Sequence, residues 1–225
     1  MPVFDVGGVS LEVPEAELDA GVREALASGR YEHAEANALL VHLAAGDRVL
    51  DLGAGCGFLT VVAAAVVGPD AVVAVEPNPA MPAVIAANVA RNGLSPVTVI
   101  HGAAVPGTGG GTVFLHLRSG FWAASTLDTG HGRKAPVDVP ALGLQGLFEI
   151  ARPTVLMADL EGAEATLFDE PLPQDVRLAV VELHPAQYGQ AGIAAVFGAF
   201  ARSGFTYCPR GSRGRTVVFE RAGAG

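Results

Sequence analysis

The sequence predicts an α/β fold: a doubly wound, seven-stranded sheet preceded by an N-terminal hairpin and helices and interrupted by an inserted β segment. Three observations lead there. From Arg48 onward strand and helix signals alternate, the pattern of parallel strands joined by crossover helices. The strand segments are continuous apolar runs, as expected where helices cover both faces of a parallel sheet. The last two strand signals close on a Gly-rich turn and predict an antiparallel pair at the end of the sheet.

Taken in order, Val3-Phe4-Asp5-Val6 and the alternating run from Val9 flank Gly7-Gly8 and predict a hairpin, serving as a lid or an edge. Helical patterns follow over residues 14–28 and 31–43, stopped by Gly29 and by Gly46-Asp47. Residues 1–46 are therefore expected to form a cap within the same domain, and residues 47–225 the main domain. Strands are expected at 48–52, 71–75, 97–101, 154–158 and 176–183, with helices at 58–67, 80–91 and 192–203 and a final strand pair at 205–208 and 216–220. Residues 102–152 break this rhythm with a Gly-rich turn and alternating pieces at 112–117 and 137–142, an insertion carrying one or two extra strands.

Composition narrows the class. With 225 residues, half of them apolar, the chain can bury one sizeable core. A formal charge of -9 offers no general attraction to phosphate backbones, so a nucleic-acid partner is not expected. Arg202, Arg210, Arg213, Arg215 and Arg221 cluster near the end in a turn-rich context that reads as solvated loop. Cys56 and Cys208 have neither disulfide-framework nor zinc-site spacing, which suits a reducing cytoplasm. The most apolar run, residues 58–67, is about half a membrane span, and the start of the chain lacks the features of an export signal. A membrane partner is not expected.

Asp51-Leu52-Gly53-Ala54-Gly55-Cys56-Gly57 falls between the first core strand and its helix, where residues without a Cβ let the backbone approach a ligand. Dinucleotide sites want G-x-G-x-x-G; here the glycines stand at 53, 55 and 57 and Phe58 follows. This is the D-x-G-x-G-x-G spacing of class I methyltransferases with their Rossmann-like sheet, and it implies S-adenosylmethionine as cofactor. Asp51 is then expected near the methionine end of that cofactor, where a carboxylate suits an ammonium group. Glu76 ends the second strand about twenty residues on, placed to accept both ribose hydroxyls. Pro77 and Asn78 are expected on the adenine side, Ala103 and Ala104 against the adenine ring, and Tyr31-Glu32 over the methionine end.

A second cluster follows the fourth and fifth core strands: Asp159-Leu160-Glu161-Gly162-Ala163-Glu164 and Glu182-Leu183-His184. That is more ionisable groups than a strand end needs. With Glu76-Pro77-Asn78-Pro79, these segments resemble the FkbM family of methyltransferases over about residues 31–188. Two positions depart from the family pattern: Gly55 stands where Asn is common and Met157 where Lys is common. The resemblance implies methyl transfer to a hydroxyl of a sugar, polyketide or other metabolite. On this reading Asp159 is the first candidate for base or acceptor anchor and also borders the cofactor. His184 is second because it titrates near neutral pH, with Glu182 beside them. No metal is expected; were a divalent cation held, Asp159, Glu182 and His184 would be its ligands. Glu164 reads as a first-turn helix residue offsetting the helix dipole. Trp122, Ser125 and Thr126 in the insertion are placed to bear on acceptor choice, Trp122 reading equally as a core residue, and His131, Arg133 and Lys134 read as solvated loop or as contacts to an acidic acceptor. The competing classes are a nicotinamide-dependent oxidoreductase, disfavoured by the glycine spacing, and a non-catalytic binder that keeps the pocket.

Overall fold

A computed structural model describes residues 1–116, 120 and 136–223. The insertion residues singled out above, Trp122, Ser125, Thr126, His131, Arg133 and Lys134, lie outside the described residues. The chain opens with the expected hairpin, β1 (Val3–Val6) and β2 (Val9–Glu12), then α1 (Ala20–Ala27) and α2 (His33–His42). The core alternation follows: β3 (Val49–Leu52), α3 (Phe58–Val67), β4 (Val72–Glu76), α4 (Met81–Arg91) and β5 (Thr98–His101). After β6 (Ala103–Val105), β7 (Gly109–Leu115), β8 (Val137–Gly143) and α5 (Leu144–Ala151), the rhythm resumes with β9 (Val155–Ala158), α6 (Glu164–Leu167), β10 (Leu178–Glu182), α7 (Pro185–Arg202), β11 (Phe205–Arg213) and β12 (Thr216–Arg221).

The main sheet runs β11-β12-β10-β9-β3-β4-β5. Its central pairings are parallel, while β12 is antiparallel to both β10 and β11, the terminal hairpin expected from the sequence. Alternate residues of one strand enter different cores. Val49, Val155, Met157, Leu178 and Val180 face α1, α2 and α3, whereas Leu50, Leu52, Leu156, Ala158, Ala179 and Val181 face α5, α6 and α7. Burial on both faces is why these strands read as unbroken apolar runs.

Several expectations are corrected. The β1–β2 hairpin does not overhang the sheet as a lid. Its Ser10 and Glu12 N–H groups donate to Asn92 Oδ1 (2.9 Å) and Asn88 Oδ1 (2.7 Å) on α4, and its Val6 and Leu11 share a core with α1 and α3. Residues 137–152 hold the helix α5 as well as a strand, because Leu144, Leu147 and Ala151 line one buried face at spacings of three and four. Together β6, β8 and β7 form a separate three-stranded sheet. The last long helix begins at Pro185, seven residues earlier than the periodicity suggested; a kink at Gly189 (φ 62°, ψ -163°) breaks the helical pattern there.

Strand order reverses beside β3, whose neighbours are β4 on one side and β9 on the other. In open α/β sheets the crevice at the carboxyl ends of the strands around such a switch point receives ligands. The turn after β3, Glu76 at the end of β4, Asp159 after β9 and Glu182 at the end of β10 all meet there.

Candidate active site

Backbone hydrogen bonds hold the walls of the crevice. The N–H groups of Gly53 and Ala54 donate to the Val75 carbonyl (2.9 and 3.1 Å), and that of Asp159 donates to Leu52 (3.0 Å). The turn after β3 is thus tied to the ends of both neighbouring strands before any ligand arrives. A cleft of about 630 Å³ opens against it, lined by Glu32, Gly53, Gly55, Glu76, Pro77, Ala103 and Asp159 from the predicted set, with Tyr31, Ala104, Leu115 and Leu160.

Glu76 is 3% exposed and clamped at both oxygens: Gly55 N–H donates to Oε2 (2.8 Å) and Asn78 N–H to Oε1 (2.7 Å). A carboxylate has about four acceptor positions, so two remain for ligand hydroxyls. Burial pushes its pKa up to about 8 despite those two bonds.

Four predicted residues stand behind the wall rather than among the residues lining this cleft. Asp51 is buried, Thr60 Oγ1 donates to its Oδ2 at 2.6 Å, and burial raises its pKa to about 6. It locks the start of α3 to β3. Asn78 is buried too, its Oδ1 accepting from Ala80 N–H (3.0 Å) at the entry to α4. Ala54 packs with Val61, Ala74 and Ile85. Gly57 (φ 85°) permits the contact between α3 and α4, since a Cβ there would meet the Ile85 side chain at 3.1 Å.

A second, open cleft of about 1130 Å³ adjoins the first, and Tyr31, Glu32, Asp159 and Glu161 line both. Glu182, Glu35, Arg30, Arg213, Arg215 and Thr216 line only the second. At the junction two non-glycine residues adopt left-handed backbone, Glu32 (φ 46°) and Glu161 (φ 50°). Such conformations cost about 1–3 kcal/mol each and concentrate at functional sites. Tyr31, 4% exposed, packs edge-on to Phe58 with ring centroids 6.0 Å apart. Burial pushes the Glu32 carboxyl well up, against the pull of a Tyr31 hydrogen bond.

The acidic cluster is drawn together around His184, which is 5% exposed. Its Nδ1 is 2.7 Å from Glu164 Oε1; its Nε2 is 3.5 Å from Asp159 Oδ1 and 3.7 Å from Glu161 Oε2. Asp159 Oδ1 is buried and has no hydrogen-bond partner among the described residues. Its carboxyl is pushed well above the usual range by burial and by the charges of Glu182, Glu161 and Glu32. Glu182 pairs with Arg215 at 2.7 Å. The three residues singled out as conditional metal ligands, Asp159, Glu182 and His184, bring one ligand atom each within 4.8 Å of one another. Met157, at the position where the resembled family often has Lys, is buried in the sheet.

Sequence reasoning missed the partnership of Glu164 and His184. Glu164 does stand in the first turn of α6, where Gly162 N–H donates to its Oε2 (2.9 Å), but its other oxygen belongs to the histidine. Twenty positions separate the two, and no local spacing announces such a pair.

A model of the protein-L-isoaspartate(D-aspartate) O-methyltransferase family matches residues 16–110. That segment carries Glu32, the glycine turn, Glu76 and Ala103 and stops short of Asp159, Glu182 and His184. No curated protein matches by sequence. Among solved structures, the methyltransferase FkbM from Methylobacillus flagellatus KT is 14% identical, covering 92% of this chain and 56% of its own, with a TM-score of 0.50. Precorrin-6y C5,15-methyltransferase from Geobacter metallireducens GS-15 is 11% identical over 93% of this chain and 90% of its own, with a TM-score of 0.47. Magnesium protoporphyrin IX methyltransferase from Synechocystis PCC 6803, solved with bound SAM, is 15% identical over 91% and 86%, with a TM-score of 0.47. The fold is that of the class I methyltransferases, and the family model matched over residues 16–110 is that of a methyltransferase. The resemblance to FkbM enzymes extends to the fold, and membership of that family is not carried by it.

Proposed function

We propose that the chain transfers the methyl group of S-adenosylmethionine to a hydroxyl of a small molecule, with the cofactor in the first cleft and the acceptor in the second. The observation that carries this reading is the junction. A Gly-rich turn and a clamped Glu76 line one cleft, and Asp159, with its orphaned oxygen, lines both. The matched family model is named for an O-methyltransferase, which favours an oxygen acceptor.

When bound, the cofactor supplies a methyl carbon whose bond to sulfur breaks with the electron pair left on sulfur. The chain's residues do the rest. The free acceptor positions of Glu76 take the ribose hydroxyls, and the walls at Pro77, Ala103 and Ala104 enclose the adenine. Asp51, through Thr60 and α3, holds the turn in place. Glu32 closes the methionine end, and positive charge arriving in a desolvated site draws its carboxyl and that of Asp159 toward the ionised form. Asp159 fixes the place of the acceptor's oxygen, and His184 Nε2 accepts its O–H and takes the proton as the new C–O bond forms. Glu182, held by Arg215, borders the acceptor. In this reading no metal takes part: Arg215, paired with Glu182, offsets part of the cluster's charge, and EDTA is expected to leave the rate unchanged. Residues 1–46 serve as a cap of the same domain, and the setting is the cytoplasm.

The test is release of S-adenosylhomocysteine across a panel of sugar, polyol and phenol acceptors with cofactor supplied. Turnover with hydroxyl acceptors supports the reading. Zero turnover across the panel with cofactor bound, or methylation of amines alone, overturns it.

A further inference from the structure

We propose that Glu164 is a positioning residue that fixes the tautomer of His184 and so presents Nε2 as the proton acceptor facing Asp159; this rests on the function proposed above. Both partners are almost fully buried, at 1% and 5% exposure. Neither can turn freely. One Glu164 oxygen accepts from Gly162 N–H (2.9 Å) and the other meets His184 Nδ1 (2.7 Å). The backbone N–H of His184 donates to the Tyr188 hydroxyl (2.6 Å), which fixes where the ring begins.

A carboxylate cannot donate, so a neutral His184 in this contact carries its proton on Nδ1 and leaves the Nε2 lone pair directed at the cleft. Nε2 lies 3.5 Å from Asp159 Oδ1, too far for a good hydrogen bond. Two atoms at that separation can both reach one hydroxyl oxygen at about 2.8 Å. The acceptor's oxygen therefore has a place beside both atoms, where its one O–H points at His184 Nε2. The groups facing the ring are Asp159 and Glu161 after β9, Glu164 on α6, Glu182 on β10 with its partner Arg215, and Tyr188 on α7. Burial opposes a charge on His184, but the bond to Glu164 and the charges of Glu164, Glu161 and Glu182 outweigh it and raise its pKa. Deprotonation of the histidine then limits activity on the acid side.

Glu164→Gln keeps the shape and removes the charge. With saturating S-adenosylmethionine and an active hydroxyl acceptor, it is expected to lower kcat by about tenfold to a hundredfold, leave KM for the cofactor within about twofold, and move the acid limb of the kcat profile to lower pH. His184→Asn is expected to abolish that limb. A Glu164→Gln enzyme that loses thermal stability yet keeps kcat and the limb in place shows a merely structural role and overturns the proposal. A second readout needs no turnover. In ¹⁵N-histidine spectra of the free protein, neutral His184 is expected as the Nδ1–H tautomer, with its midpoint falling in Glu164→Gln. An Nε2–H tautomer, or an unmoved midpoint, contradicts the proposal even if no acceptor is ever turned over, so its failure is separable from failure of the methyl-transfer reading.

Discussion

Gly53 and Asp159 meet backbone to backbone: a Cβ on Gly53 would lie 1.8 Å from the Asp159 carbonyl oxygen. The glycine in the turn after β3 is therefore also what allows the loop after β9 to close on β3. Gly53 has φ 85°, which adds a backbone penalty to the clash. Gly53→Ala is expected to displace Asp159, lowering cofactor affinity and turnover together; calorimetry and initial rates on the purified variant check this. An unaltered kcat with intact folding would refute the coupling.

Asp159→Asn isolates the chemistry. The amide keeps the size and removes the charge of Oδ1, so cofactor affinity is expected to stay within about fivefold while kcat falls by about a hundredfold or more. Equal losses in affinity and rate would mean that Asp159 mainly holds the cofactor.

The pKa of Glu76 sets a pH dependence of binding. In the proposed binding mode ribose hydroxyls donate to the ionised carboxylate, which in the free protein is populated only as the pH passes about 8. Cofactor affinity is thus expected to rise with pH up to about 8, with net proton release below it. Titrations in buffers of differing ionisation enthalpy measure that proton, and Glu76→Gln should remove it.

Stability of the free protein has the opposite sign. The folded pKa of Glu76 is raised above its unfolded value, so the native state binds the proton more tightly and the associated stability is lost as pH rises from about 4 through about 8. Thermal melts across that range should show wild type losing ground to Glu76→Gln. A gap that is flat with pH would place the Glu76 pKa in the ordinary carboxylate range.

The fold was largely legible because its signals are local. Phe58–Val67 appears as a helix with the bounds its apolar run gives, and each central strand falls within a residue or two of its apolar segment. What was not legible depends on contacts between distant positions. Leu144, Leu147 and Ala151 look like loop until a sheet face is there to cover. Within the site, the glycine turn and Glu76 carry a spacing that sequence records. Asp51 and Asn78 share that spacing, but Asp51 Oδ2 accepts from Thr60 and Asn78 Oδ1 from Ala80. The pairing of Glu164 with His184 depends on β9 and β10 lying side by side, a property of the sheet and not of either segment.

The central claim is tested most directly by calorimetric titration of S-adenosylmethionine into wild type and Glu76→Ala, with NADH as control. Saturable one-to-one binding of S-adenosylmethionine in the micromolar range is predicted, weakened in Glu76→Ala by about 1–3 kcal/mol for the lost hydrogen bonds to a charged group, with no heat from NADH. Binding of NADH in place of S-adenosylmethionine, or an affinity for S-adenosylmethionine indifferent to Glu76, would contradict the account.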